Sequence, residues 1–311
     1  METTMSPPSQ GRVSLVDSAL DLVHTGDLDG AWRAAEEGIQ KTGTERALGA
    51  YWTFRFVRAE VLRIRGRPQE ALCFLNSVGS PRQQDIEFRA ALAMHRGYCS
   101  ALLGHYRAAE DLLTEADALA ASGGCSELQG ELTARRAMIA YLQKDYYTSE
   151  RLYKSVFDVF GEQFGWYLHC IARGGVGKSL MARREFEKAL PWLEGAIKTA
   201  EAVGAKLLVA GFSGEAAICY TGLGDPDRAL KIHMEADKVL AALGARHAYQ
   251  VNLADMGTIF LQKGEFLTAI SHYQRALAIA KEINDPVSIE KWSFNLRLSY
   301  AKLSRSMNPD V

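Results

Sequence analysis

A short motif recurs along this 311-residue chain at nearly constant intervals, and a period of this kind narrows the fold before any single helix is assigned. Turn residues at Gly26, Gly66, Gly104, Lys144, Arg184, Gly224 and Gly264 are separated by 40, 38, 40, 40, 40 and 40 positions. Five positions after each turn stands a small side chain: Ala31, Ala71, Ala109, Ser149, Ala189, Ala229 and Ala269. Seven before it stand Ala19, Ala59, Gly97, Ala137, Gly177, Ala217 and Gly257. Small residues at fixed offsets on both sides of a turn let two helices approach closely. Leu75, Leu113, Tyr153, Leu193 and Tyr273 supply the bulk that fills the gap beside them.

Each unit therefore reads as helix A, a tight turn and helix B. Pro68 and Pro226 fall where helix B starts, a position that needs no amide hydrogen. Glycine at five of the seven turns suits the left-handed residue that ends helix A. Pro191 lies in the second turn of the fifth helix B, where loss of a backbone bond predicts a kink. Residues 287–304 read as one more helix A with no helix B behind it, and Arg297 replaces the small residue there, as suits a terminal cap. The expectation is an all-α, right-handed α-α superhelix of about seven helix pairs plus a C-terminal capping helix. Its divisions are a flexible tail over 1–12, the solenoid over 13–304 and a second tail over 305–311.

These columns resemble the tetratricopeptide repeat across roughly residues 13–285. The usual repeat has about 34 residues, so the resemblance implies one extra helical turn and a longer B-to-A connection in each unit. The stretch 269–280, followed by Asn284 and Asp285, looks like the long-repeat subclass of Pins-type adaptors and bacterial sensor arrays. Tyr51, Trp52, Phe54 and Phe56, leading into Ala59–Leu62, also resemble bacterial arrays that precede a caspase-like CHAT protease module. In that alternative the chain is a sensor or regulatory array, with catalysis outside it. The tetratricopeptide resemblance further implies a concave groove lined by residues ten, six and three before each turn. Those positions hold Phe56, Glu60, Arg63, Met94, Tyr98, Ala101, Met138, Tyr141, Lys178 and Met181. The family's carboxylate clamp is not reproduced, since the column six before the turn reads Leu20, Glu60, Tyr98, Met138, Lys178, Ile218 and Thr258. A protein or peptide ligand other than a chaperone tail is the implied partner.

Chemistry finds little purchase elsewhere. Lysine and arginine number 36 against 37 acidic residues, so no general field attracts nucleic acid or an acidic membrane. Cys73, Cys99, Cys125, Cys170 and Cys219 include no C-x-x-C pair and read as buried reduced thiols, which fits a cytosol. The polar opening 1–11 has no apolar core of a signal peptide. No apolar run reaches the roughly 18 residues of a spanning helix, so a cytoplasmic protein is expected.

The stretch Ala172–Ser179 fits a permissive phosphate-binding loop, yet its Gly177 shares the mid-helix column of Gly97 and Gly257. Helical amides are bonded internally and cannot cradle phosphate. His24, His95, His105, His169, His233, His247 and His272 form no H-x-x-x-H pair and read as surface or turn residues. No nucleophile elbow occurs, and Cys170 beside His169 lacks a third group to orient a base. The sequence thus points to a protein-binding scaffold that is not an enzyme, with no catalytic residue, metal site or cofactor expected.

Overall fold

A computed structural model describes residues 15–43, 49–160 and 165–307. The expected tail over 1–12, and residues 308–311 of the C-terminal one, lie outside the described residues. The A helices are α1 (Leu15–Thr25), α3 (Gly49–Ile64), α5 (Ile86–Leu102), α7 (Ser126–Leu142), α9 (Trp166–Ala182), α11 (Lys206–Gly222), α13 (Arg246–Gln262) and α15 (Pro286–Met307). The B helices are α2 (Leu28–Thr42), α4 (Pro68–Ser77), α6 (Tyr106–Gly123), α8 (Tyr146–Phe160), α10 (Phe186–Ala202), α12 (Pro226–Ala242) and α14 (Phe266–Glu282). No strand occurs among the described residues.

From α9 to α14 every helix has 17 residues. The turns between them are equal too, which corrects the expected longer B-to-A connection for these repeats: residues 203–205 and 243–245 match residues 183–185 and 223–225, although the connection between α4 and α5, residues 78–85, is longer. The reason is that both kinds of turn use one cap. A left-handed residue, Arg184 (φ 63°), Gly204 (71°), Gly224 (88°) or Gly244 (62°), reverses the chain. The next amide then donates to a carbonyl five residues back, Glu185 to Leu180 at 3.0 Å and Asp225 to Tyr220 at 2.9 Å, as Ala205 does to Ala200 at 2.9 Å. From α9 to α14 the added length therefore sits in the helices and not in a loop.

Packing follows the small-residue columns. Ala31, Ala71, Ala109, Ser149, Ala189, Ala229 and Ala269 are all 0% exposed. A β-carbon on Gly97 would meet Leu113, on Gly177 Leu193, and on Gly257 Tyr273. These three partners share one column, so the glycines occupy equivalent surroundings. The same gap-filling column holds His233, fully buried, which corrects its assignment as a surface histidine. Its Nδ1 lies 2.8 Å from Asn252 Oδ1, and Asn252 Nδ2 donates to the His233 carbonyl at 3.0 Å. Burial lowers the His233 pKa and favours the neutral ring. Cys99, Cys170 and Cys219 are buried, but Cys73 is exposed and Cys125 is half-buried. Pro191 does not end α10, which runs on to Ala202.

At the C-terminal end α15 extends beyond the expected 287–304. Trp292 anchors it, 2% exposed, with Nε1 donating to Gln250 Oε1 at 3.4 Å. Arg297 stays in solvent.

The stack curves until it closes. Each A helix packs on the next along α1, α3, α5, α7, α9 and α11, and α11 packs back on α1. Gly26 at the first turn sits against Leu207 and Leu243, and Gly66 at the second sits against Ile283 and His247. The six inner helices therefore form a ring, and α13 begins a second coil above it. Among the described residues no helix is long and apolar enough to cross a membrane.

Candidate functional site

The ring encloses a lumen walled by helix A side chains. Two cavities of about 330 Å³ and 270 Å³ share Met138, Tyr153, Ile171, Lys178, His247 and Ala248, so they form one continuous space. It runs from Val23 and His24 at one end to Val251 and Asp255 at the other.

Fixed charges sit in these apolar walls in two groups. In the first, Glu60 receives Arg63 at 2.6 Å, Arg135 at 3.3 Å and His95 Nδ1 at 3.1 Å. Burial alone would raise the Glu60 pKa, but the two guanidiniums and the His95 hydrogen bond hold it well below the usual carboxylate range. The Tyr98 ring completes the group, with the Arg135 guanidinium 4.4 Å and that of Arg63 5.3 Å from its centroid. Glu131, on the same turn of helix as Arg135, is pushed up by burial, which the nearby Arg135 offsets only in part.

In the second group Lys178 Nζ lies 2.7 Å from Glu215 Oε1 and 5.0 Å from the Tyr141 ring centroid. Burial would lower the Lys178 pKa, and Glu215 reverses the shift, so the ammonium persists. Asp255 stands one repeat beyond Glu215 and is pushed up to about 7, by burial first and then by Glu215. Among the described residues no ion pair or hydrogen bond engages the Asp255 carboxylate.

The groove positions expected from the sequence divide in two. Arg63, Tyr98, Met138 and Lys178 line the cavities. Glu60 anchors the first charge group, Phe56 stacks on His95 at 4.8 Å, and Tyr141 lies under Lys178. Met94 (1% exposed) and Met181 (8%) instead belong to the packed core between helices, and Ala101 is likewise buried at 1%. The residues missed were Arg135, Glu215 and Asp255, nine before their turns, and Glu131, Ile171 and Val251, thirteen before. Positions thirteen, nine and six before a turn recur at helical spacing and share one face with Met138 and Lys178, the signal that could have found them.

The stretch that resembles a phosphate-binding loop lies inside α9. A β-carbon on Gly174 would meet Phe212 and one on Gly175 would meet Tyr153, so the glycines seat neighbouring rings. Ser179 Oγ lies 2.8 Å from the Gly175 carbonyl and 2.9 Å from Ser149 Oγ. Its lysine and serine thus serve the lumen and the core. Among the described residues no group of three or more His, Cys, Asp or Glu is placed to hold a metal ion.

A family model for the tetratricopeptide repeat matches residues 253–287, from the middle of α13 through α14 to the first residues of α15. No curated protein matches the chain in sequence. Among solved structures, a Rap protein complexed with competence and sporulation factor superposes with a TM-score of 0.69 at 15% identity, over 93% of this chain and 85% of that one. NprR in complex with its cognate peptide NprX gives 0.62 at 15% identity, over 93% and 83%. A tetratricopeptide repeat protein from Parabacteroides merdae ATCC 43184 gives 0.50 at 18%, over 92% and 97%. At these identities the likeness is one of fold.

Proposed function

We propose that this chain, a tetratricopeptide-type solenoid by its fold and its matched repeat, holds an extended peptide or protein segment inside the lumen of its inner helices. The observation that carries this reading is the lumen itself, a space with largely apolar walls and two half-buried charge groups paired within the scaffold. Ion pairs already organised by the scaffold orient a ligand without paying to order themselves. The similar folds of a Rap protein complexed with competence and sporulation factor and of NprR in complex with its cognate peptide NprX support a ligand of this kind. The alternative of a sensor array serving a caspase-like protease gains nothing from the geometry, because no feature of the lumen distinguishes a protease from another protein partner.

The test is capture from a synthetic peptide library by the wild-type chain and by Tyr98→Glu and Tyr141→Glu variants whose helix content is verified by circular dichroism. The expected result is selection of defined peptides by the wild type and at least ten-fold weaker binding by the variants. Unchanged binding by both folded variants would remove the lumen as the site.

A further inference from the structure

Three exposed apolar residues of α15 share one face, whereas Tyr300 (48% exposed) and Met307 (72%) lie on the other side of the helix. Val287 is 74% exposed, Phe294 58% and Leu298 38%, and their spacing places them on one face of the helix. Each stands forty residues beyond a residue of α13: Val287 after His247, Phe294 after Ala254, Leu298 after Thr258. The Leu298 column is that of Met138 and Lys178, and the Val287 column is that of Tyr167, Leu207 and His247, all but Thr258 and Ala254 lining the cavities. The positions through which α15 would meet a following helix B carry Arg297 and Ser304 instead. In the register of the lumen wall the cap therefore carries Val287, Phe294 and Leu298, with Lys291 among them.

Glu215 and Asp255 line the lumen, and of the two only Glu215 has an ion-pair partner, Lys178. Lys291 and Lys178 each act on Asp255 through space without contacting it, and burial beside Glu215 leaves its carboxyl pushed up to about 7. An added cation at this point would be attracted to a carboxylate that the protein itself leaves uncompensated. Adjacent helices of such a stack are about 10 Å apart, a distance that about three residues of extended chain cover.

On the reading that the lumen holds a peptide, we infer that the ligand carries a cationic side chain seated against Asp255 and Glu215, followed about three residues along by apolar side chains lying on Phe294, Leu298 and Val287 as the chain leaves the lumen. The cap helix is then part of the recognition surface as well as the end of the core. Charge complementarity selects the cation, and the continuity of the exposed stripe with the lumen wall selects what comes next.

The probe is a positional-scanning library of acetylated nonapeptides, read by fluorescence anisotropy against the wild type, Asp255→Asn and the double variant Phe294→Ser/Leu298→Ser. The substituted residues of the double variant are solvent-exposed, so its fold is expected to persist. Support is a wild-type preference for arginine or lysine at one position and for leucine, isoleucine or phenylalanine three or four positions away. Asp255→Asn should then lose the basic preference about ten-fold while keeping the apolar one, and the double variant should do the reverse. Selected peptides that lose affinity with Tyr98→Glu yet show neither preference would overturn this inference and leave the lumen reading standing. Binding indifferent to Tyr98→Glu would overturn both. A concentration-dependent dimer in sedimentation velocity that the double variant dissolves would also overturn it, in favour of a second copy covering the stripe.

Discussion

The imidazole of His24 stacks on the ring of Tyr167, centroids 3.9 Å apart and planes 16° from parallel, with Trp166 edge-on at 5.9 Å. A contact across 143 positions of sequence thus joins the first inner helix to the fifth. Beside it, Gly26 against Leu207 joins the first to the sixth. Closure of the ring depends on these few contacts, whereas each hairpin depends on many.

Removing the His24 ring should therefore open the superhelix without unfolding the hairpins. His24→Ala is expected to raise the radius of gyration in solution scattering by about one or two ångströms while circular dichroism stays constant. Acid should act in the same direction. Burial lowers the His24 pKa from its ordinary value, against smaller upward pulls from Glu60 and Asp21 and a smaller downward one from Arg135. A folded value below the unfolded one means that the full contribution is present above pH ~6.5 and is lost as pH falls from there toward the folded value. His233 and His272, also lowered by burial, weaken overall stability over the same window. The diagnostic quantity is thus the radius: the wild type should expand as pH falls below about 6.5, and His24→Ala should show no further change.

Two glycines of apparently similar standing should respond oppositely to alanine. In α9 a β-carbon on Gly177 would lie 2.6 Å from Leu193 Cγ and 3.2 Å from the Ala189 carbonyl, whereas one on Gly211 in α11 meets nothing within 4 Å. Gly177→Ala should cost about 1–3 kcal/mol through overpacking, and Gly211→Ala should add about 0.5–1 kcal/mol through helix propensity. Urea denaturation of the two variants separates these outcomes by sign.

Arg184 occupies the left-handed turn position that Gly104 and Gly224 fill in sister repeats, with φ at 63°. Its β-carbon makes that conformation unfavourable by about 1 kcal/mol. Arg184→Gly is expected to raise the unfolding free energy by about 0.5–1 kcal/mol, since the relief of strain exceeds the added chain entropy. Thermal melts at matched pH would register it as an upward shift, and a downward shift would show that the arginine side chain contributes more than its backbone costs.

Asp255 provides a stability test with the opposite pH sense to His24. A carboxyl pushed up to about 7 by burial and by Glu215 destabilises the fold most fully above that pH, and the cost vanishes below the unfolded value near 4. Asp255→Asn should stabilise the chain by about 1–2 kcal/mol at pH 8, and the gain should shrink steadily toward pH 4. Denaturation midpoints at pH 8, 6 and 4 would trace it. A constant difference across that range would mean that Asp255 is ionised throughout.

The hairpins were legible in the sequence because their requirements are local. A left-handed turn residue and a small residue five positions on are needed in every unit, so the columns repeat visibly. The lumen was only half legible. Met94 shares with Phe56 a column that holds Ala134, Gly174, Gly214 or Ala254 in later repeats, and both long side chains there are buried. The column of Arg135, Glu215 and Asp255 changes identity from repeat to repeat, as a recognition surface does, and so offers no periodic signal. Ring closure was not legible at all. It is the accumulated result of small rotations over six hairpins, and no single segment encodes that sum.

A closed ring also acts as a topological filter. With His24 seated on Tyr167 and Gly26 on Leu207, the first inner helix is held against the fifth and sixth, which favours entry to the lumen end-on. A loop anchored at both ends in a folded domain cannot thread such a passage. A free chain terminus can, so on the proposed reading the ligand would enter by an end and not by an internal loop.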